Sequence, residues 1–461
     1  MRFSFVLAVW LVPASLLCGQ SAPSSMPASA PASNPADWAP WSNNSIQPPP
    51  SLPSVKLPPA TTQPGDGATE AIHRACMAWF DTAIEQVDDM VPYAEAAADK
   101  ILKGGELYCT GSPGFIAEMF GRAGGFSFLK EWDGRRLNND VLLVGQLSPR
   151  EEGPRDVDFA AIAVGNGGLT GGRVVHIASH QWTLVKDMLP SVRARKWGKQ
   201  LCLIDTKAPE GDGWVEMAVN QMATCAMGWA FQGEMFAAAT RREKMLCTYA
   251  SLCEPGGEKW YKQFKDVKLM TKFQGGPIPP GQVAREYLRT CQRQIAAFLE
   301  SKQGDQVRLA SRRMLETMQG GGTVWTIIAG HVHVAGGRFP PKTPKLVMFG
   351  RDWEWQGHES NLKKGDMLFY MAYLDYPEKY VADALERGAT AVTVSVEGGP
   401  TDERRTNIRG TWAKWDSTIN VYNYPVRILP PSGVVQTPEW YSIMAELEAA
   451  QKKAAATQPA K

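Results

Sequence analysis

Beyond its first 20 residues, the sequence lacks any uninterrupted apolar run of about 18 residues, so nothing else in it predicts a membrane span. It also lacks an excess of one charge, because 49 Lys and Arg residues face 47 Asp and Glu residues. This balance gives no general attraction to nucleic acid or to an anionic membrane. Eight cysteines are too few for a disulfide scaffold. The composition is that of an ordinary globular protein, and 461 residues allow two or three domains.

The first 20 residues have the pattern of a secretory signal peptide. Arg2 supplies a short basic start, and the apolar run 3–17 that follows is broken by Pro13 and is too short for a stable span. Cys18 would allow a lipoprotein, but Leu17 is large where such signals carry a small residue. We therefore expect an exported protein, periplasmic or secreted, and regard a lipid anchor as the less favoured alternative.

Low-complexity segments flank the rest of the chain. Residues 21–68 contain twelve prolines and three charged residues, a composition that cannot bury enough apolar surface to offset chain entropy. This segment is predicted to be a disordered linker. Residues 436–461 are predicted to form a C-terminal helix that ends in a frayed tail.

Seven cysteines follow the signal peptide, and an odd number in an exported chain leaves at least one thiol free or paired with another chain. Cys247 and Cys253 form the most favoured disulfide pair. Cys109 and Cys202 lie in apolar runs, where a small buried thiol is the default. The sequence has no Cys-x-x-Cys pair and no Cys/His spacing typical of zinc, so we expect no metal and no cofactor.

Short apolar runs alternate with amphipathic stretches along most of the chain. The predicted strands lie within 104–111, 141–146, 159–165, 173–179, 200–205, 321–330, 345–350, 366–375 and 390–397. The predicted helices lie within 70–103 (interrupted near Pro92), 112–125, 181–195, 214–246, 285–318 and 377–389. This alternation is typical of βαβ units, which form a parallel sheet with helices on both faces.

The second half of the chain repeats the plan of the first. The segment 172–206 (glycine, strand, turn, helix, lysine, strand) matches 365–396 in order. The Gly-, Pro- and Lys-rich segment 256–281 is the natural linker between the halves. We therefore predict two α/β domains, at 69–255 and 282–435, packed as a pseudo-dimer with a cleft between them.

Two segments resemble the sugar isomerase (SIS) domain family. In 104–126 a Gly-rich turn precedes Ala117-Glu118, an aromatic residue and Arg122-Ala-Gly-Gly, which resembles the opening of that domain. The segment 365–398 resembles the second half of the fold, with Gly-Asp, a strand, a turn, a helix, Arg-Gly-Ala and a strand. Tandem SIS domains form the isomerase part of glucosamine-phosphate synthases.

The resemblance implies two Rossmann-like, three-layer αβα domains of the SIS type in tandem, with parallel sheets. Members of this family bind phosphosugars and often convert an aldose to a ketose. Ser and Thr hydroxyls and backbone N–H groups at a helix N-terminus hold the phosphate, and a Glu or His moves a proton through an enediol.

Two loops of this chain differ from the family pattern. The family's Gly-His-Ser turn is replaced at 111–114 by Gly-Ser-Pro-Gly, so the histidine is missing and Pro113 removes a donor. In the second half, Asp375 stands where a phosphate would bind and would repel it. These differences disfavour phosphosugar isomerisation.

The predicted catalytic residues are Glu118 and His180. Burial of Glu118 would raise its pKa and make it a base, whereas the alternative is a structural pair with Arg122 on the same helix face. His180 follows a strand at its carboxyl end, where doubly wound sheets place ligands, and a structural histidine at that end is the alternative.

The predicted substrate-binding residues follow predicted strands: Ser112, Ser179, Gln181, Thr183, His331 and His333. His331 and His333, with His358 and Glu359, also offer metal ligands, but no spacing among them requires a metal. The Gly-rich run 165–172 precedes a strand rather than a helix, so it fails as a dinucleotide loop. Common hydrolase and P-loop motifs are also missing.

The sequence therefore predicts an exported SIS-like protein that binds a sugar or sugar derivative between its two domains, with aldose–ketose isomerisation by Glu118 and His180 as its enzymatic form. The alternative is a catalytically inactive carbohydrate-binding or assembly module with degenerate SIS sites. The expected partner is a small sugar molecule, without nucleic acid, membrane span or cofactor. The sequence leaves the oligomeric state open.

Overall fold

The computed structural model describes residues 67–135, 137–146, 172–179, 201–209, 211, 213–271, 275–328, 346–349, 359–372, 375–412 and 414–457. The predicted signal peptide and nearly all of the predicted linker 21–68 lie outside the described residues. So do the predicted strand at 159–165 and the predicted helix at 181–195.

The described residues form nine α-helices, two short 3₁₀ helices (Glu359–Asn361 and Lys414–Asp416) and ten strands. The helices are α1 (Ala68–Glu85), α2 (Val87–Leu102), α3 (Pro113–Met119), α4 (Trp214–Thr240), α5 (Gly257–Phe264), α6 (Gln282–Glu300), α7 (Gln303–Gln319), α8 (Glu378–Glu386) and α9 (Ser432–Ala456). The strands are β1 (Leu107–Gly111), β2 (Lys130–Glu131), β3 (Val141–Gly145), β4 (Arg173–Ala178), β5 (Leu201–Asp205), β6 (Val324–Ile328), β7 (Leu346–Phe349), β8 (Met367–Met371), β9 (Thr390–Ser395) and β10 (Arg405–Arg409).

The strands form two parallel five-stranded sheets. The first sheet has the order β2-β1-β3-β4-β5, and the second has the order β7-β6-β8-β9-β10. When each sheet's strands are numbered in chain order, both sheets follow 2-1-3-4-5, with the order reversing at the first strand. The predicted α/β class, with parallel sheets in two successive halves, is confirmed.

The strand order corrects the correspondence that we inferred between the halves. The sequence pattern matched β8 to β4. In the structure, β8 lies between β6 and β9 in the second sheet, just as β3 lies between β1 and β4 in the first sheet. The corresponding strands are therefore β8 and β3. The pattern could not distinguish β3 from β4 because both are short, apolar and almost wholly buried.

The first predicted helix is broken at a different residue from the one expected. The break falls at Gln86, between α1 and α2, whereas Pro92 lies inside α2. Proline removes the N–H that would bond the carbonyl four residues earlier, here that of Asp88. Both Asp88 and Pro92 are exposed, so water can satisfy this carbonyl and the helix continues.

Helices fill the space between the two sheets. α9 contacts α1, α4 and α7, and α4 also contacts α2 and α6. Every residue from Met217 to Thr240 of α4 and from Ser432 to Ala445 of α9 is buried. One continuous apolar core includes side chains from both sheets, so the described part of the seam is packed rather than open.

The segment predicted as the linker between domains contains α5. Trp260 of α5 is buried, and its indole N–H donates to the carbonyl of Thr248, at 2.8 Å. α9 begins at Ser432, four residues before the predicted C-terminal segment, and it continues into the region predicted to fray. None of the described helices has the length and hydropathy that a bilayer crossing requires.

None of the seven cysteines described after the signal region forms a disulfide. The favoured Cys247–Cys253 disulfide is therefore wrong: Cys247 is completely buried, whereas Cys253 is partly exposed on the turn before α5. Burial raises the pKa of Cys247 to about 12, so this thiol stays protonated and unreactive at neutral pH.

α9 carries a buried carboxyl group at Glu439. The residue is 0% exposed, and neither carboxyl oxygen has a hydrogen-bond partner among the described residues. Burial raises its pKa well above 4.5, so folding favours the protonated form. A group of this kind binds its proton more tightly in the folded state, so the free energy of unfolding falls as pH rises above 4.5.

We predict that Glu439→Met raises the free energy of unfolding by about 1–3 kcal/mol at pH 7, because it removes two unbonded polar atoms from the core. The gain should be smallest near pH 4 and should grow toward pH 8. Urea unfolding across this range measures it, with Glu439→Gln as the polar control that does not titrate. A gain independent of pH would contradict the prediction.

His73 of α1 lowers the free energy of unfolding at acidic pH. Its ring stacks on Phe298, and Nδ1 lies 2.9 Å from the carbonyl of Thr69. Burial lowers the pKa of His73 to about 4, so the folded state binds its proton less tightly than the unfolded chain does.

We predict that the free energy of unfolding of the wild type falls by about 3 kcal/mol between pH 6.5 and pH 4 because of this histidine. His73→Phe, which cannot titrate, should lose that part of the pH dependence. The difference between the two denaturation curves at each pH isolates the contribution of His73 from that of the carboxylates. Parallel curves for the two proteins would show that the histidine is not responsible.

Candidate functional site

Two of the predicted site residues, Ser112 and Ser179, lie at the carboxyl ends of strands in the first sheet. In open α/β sheets, ligands bind at this end of the strands, beside the strand where the order reverses. In this sheet the reversal lies between β1 and β3, which end in register at Gly111 and Gly145. Ser112 and Ser179 follow β1 and β4 directly.

The turn after β1 is closed by protein groups. Gly111 has φ +119°, and a Cβ at this position would lie 2.0 Å from the carbonyl oxygen of Gly145. The N–H of Ser112 donates to that same oxygen, at 2.9 Å, and the Phe115 ring packs where a Cβ of Gly145 would be. Ser112 is 0% exposed, so the described atoms leave no space here for a phosphate group.

Glu118 lies on α3, one turn after Phe115, and only 1% of it is exposed. Arg122 donates from Nη1 to Oε2 of Glu118, and the indole N–H of Trp229 donates to Oε1 at 2.9 Å. Both carboxyl oxygens therefore have protein partners. The i,i+4 pair with Arg122, which the sequence offered as the structural alternative, is present.

Arg122 binds a second carboxylate from the other half of the chain. Its Nη2 donates to Oδ2 of Asp416 at 2.6 Å and to the hydroxyl of Ser432 at 2.8 Å. The backbone N–H of Ser432, at the start of α9, donates to the other oxygen of Asp416 at 3.0 Å. This group of Glu118, Arg122, Asp416 and Ser432, which we term the central network, joins α3 to α9.

The central network is buried and contains two carboxyl groups but only one guanidinium group. Burial raises the pKa of Glu118 to about 7, against the opposing effects of Arg122 and Trp229. Burial likewise raises the pKa of Asp416. The predicted raised pKa of Glu118 is thus present, and its main cause is removal from water rather than repulsion by a neighbouring carboxylate.

Gly433 lets α9 approach the central network. A Cβ there would lie 2.1 Å from Oε2 of Glu118, closer than any side chain allows. The helix backbone therefore packs directly against the carboxylate. Any substrate reaching Glu118 from this side would have to displace α9.

Ser179 has a structural contact. Its hydroxyl donates to the carbonyl of Ala208 at 3.1 Å, which ties the end of β4 to the loop after β5. The other predicted site residues lie outside the described residues: His180, Gln181, Thr183, His331 and His333. Three predicted site residues, Glu118, Ser112 and Ser179, are thus described, and each is at most 1% exposed. They do not surround an open space.

Sequence analysis did not identify Asp416 or Ser432. Arg122 and Asp416 are 294 residues apart, and Asp416 follows no predicted strand, so no local pattern connected them. Within the described residues, no group of three or more His, Cys, Asp or Glu side chains is placed to hold a metal ion.

We predict that Arg122→Met lowers the free energy of unfolding by about 3–5 kcal/mol at pH 7, because it leaves two buried carboxylates without a counter-charge. Glu118→Gln should change it by no more than about 1 kcal/mol, because Asp416 still balances Arg122. Chemical denaturation of both variants measures the contrast. Equal losses would show that Arg122 does not hold the network together.

No protein-family model matches the chain, and no curated protein sequence matches it. Solved structures are similar to it, at low sequence identity. One is the C-terminal domain of glucosamine-fructose-6-phosphate aminotransferase from Francisella tularensis, with 10% identity, a TM-score of 0.48, and coverage of 84% of this chain and 95% of that one. Another is tagatose-6-phosphate ketose/aldose isomerase from Escherichia coli, with 10% identity, a TM-score of 0.45, and coverage of 87% and 96%.

Proposed function

We propose that this chain is an exported protein that binds a sugar or sugar derivative at the carboxyl edge of a parallel sheet and does not isomerise it through Glu118. Export is supported by the signal-like pattern of residues 1–20. Sugar binding is supported by the SIS-like segments 104–126 and 365–398, and by a sheet order that reverses at the edge where ligands bind.

The observation that carries the proposal is the closure around Glu118. A general base must come within hydrogen-bonding distance of the proton that it removes. Both oxygens of Glu118 are bonded to Arg122 and Trp229, and α9 packs against the carboxylate at Gly433. This geometry favours binding without turnover.

One observation favours isomerisation as a second candidate. The pKa of Glu118 is about 7, which is where a general base works best at neutral pH. For this candidate to hold, the carboxylate would have to leave Trp229 and reach the substrate. The two candidates differ in whether a sugar exchanges its C2 proton with solvent.

We predict saturable thermal stabilisation of the purified full-length chain by at least one member of a panel of aldoses, amino sugars and sugar phosphates. Binding only to the folded state should raise the melting temperature with ligand concentration. Proton NMR in D₂O should show no enzyme-dependent loss of the C2 proton from any bound sugar.

The matched control is Glu118→Gln, which keeps the volume and a hydrogen-bond acceptor but cannot take up a proton. Binding unchanged by this substitution, with no exchange in either protein, supports the proposal. If the wild type incorporates deuterium into the sugar and Glu118→Gln does not, the proposal of binding without turnover is wrong and isomerisation takes its place. Failure of every sugar to shift the melting temperature would refute sugar binding itself.

A further inference from the structure

A cavity lies at the carboxyl end of β5, away from the closed turn after β1. It has a volume of about 120 Å³ and is bounded by β5 and helices α2 and α4. This is the space of about four water molecules, enough for part of a sugar ring but not for a whole one. A ligand held there would keep its remaining atoms at the surface.

The floor and rim of the cavity differ in polarity. The buried side chains of Met90, Ile204 and Met227 form an apolar floor. The polar residues at the rim are Gln86, Asp89, Asp205 and Lys207, with Tyr93 beside them. An apolar surface surrounded by a few donors and acceptors is typical of small-molecule sites.

The rim is held in place by hydrogen bonds. Lys207 has a left-handed backbone, with φ +50°, and its N–H donates to Oδ1 of Asp205 at 2.9 Å. The side-chain amide of Gln86 lies 2.9 Å from both the carbonyl oxygen of Asp205 and Nζ of Lys207, and both contacts are hydrogen bonds when its nitrogen is assigned toward Asp205 and its oxygen toward Lys207. The lysine is thereby fixed at the rim, between the end of the edge strand and the start of α2.

The charges at the rim restrict which ligand fits. Among the described residues of the rim, two carboxylates, Asp89 and Asp205, accompany one ammonium group, that of Lys207, so this part of the rim is net negative. Carboxylates accept hydrogen bonds from hydroxyl and ammonium groups, and they repel a phosphate.

We propose that this cavity binds the hydroxyl-bearing edge of a neutral or amino sugar, with Asp89 and Asp205 as acceptors and Lys207 as donor, and that it disfavours sugar phosphates. The proposal rests on the proposed sugar-binding function and gives it a location and a charge preference. The apolar floor of Met90 and Met227 meets the C–H groups of the part of the ring that enters the cavity. The site is separate from Glu118 and from the turn after β1.

The test uses three sugars that share a ring and differ in charge: D-glucose, D-glucosamine and D-glucose 6-phosphate. Isothermal titration calorimetry on the full-length chain should give the tightest binding for glucosamine and the weakest for glucose 6-phosphate. Asp89→Asn with Asp205→Asn should weaken glucosamine binding about tenfold or more, because each charge-assisted bond becomes a neutral one. The asparagine at 205 can still accept from the N–H of Lys207.

Two further variants separate binding from folding. Asp89→Asn alone, at an exposed position, should weaken glucosamine binding with an unchanged melting temperature. Asp88→Asn is the matched control, because Asp88 neighbours Asp89 on α2 but pairs with Arg285 outside the cavity, at 2.5 Å. It should bind all three sugars as the wild type does.

The possible outcomes distinguish a failure of the proposed cavity site from a failure of the proposed sugar-binding function. Sugar binding by the wild type that the Asp89 and Asp205 variants leave unchanged would overturn the cavity and leave the proposed function standing. Preference for glucose 6-phosphate would overturn the charge argument. Binding of none of the three sugars would overturn the cavity, and the proposed function fails with it only if the wider panel also gives no stabilisation.

Discussion

The interior of this protein is organised around a single guanidinium group. Arg122, which follows α3, binds Glu118 of that helix and Asp416, 294 residues later in the chain, and it also donates to the hydroxyl of Ser432, the first residue of α9. Buried charges are tolerated only when they are paired, so the three elements that carry these groups must fold together. The close approach of α9 at Gly433 depends on the same arrangement. Glu118, which the sequence predicts as a catalytic base, is thus part of the contact between the two halves.

Protein groups close the turn after β1, where the resemblance of the sequence implied an anion site. The hydrogen bond from Ser112 to Gly145 and the Phe115 ring occupy the place where an anion would meet backbone donors. The parallel sheet still collects polar groups at its carboxyl edge, and the open space lies at the edge strand β5. Fold and site can change independently, because the loops and not the sheet determine which positions stay accessible.

Much of the fold followed from local patterns. Runs such as 141–146 and 366–375 are apolar and short, and they formed the predicted strands because only burial on both faces suits them. β2 and β10 escaped prediction: β2 has two residues, and β10 is a polar strand at the sheet edge. The raised pKa of Glu118 was foreseen from burial. Asp416, Ser432 and the β5 cavity were not, because each depends on contacts between distant parts of the chain.

The position of α9 has a consequence for how the chain is made. This last helix covers α1 and α4, which belong to the first half, as well as α7 of the second. Until α9 has been synthesised, the apolar faces of these helices have no cover from it, and the first half cannot complete its interior on its own. Neither half can therefore complete its apolar core before α9 has been made and has packed against these helices.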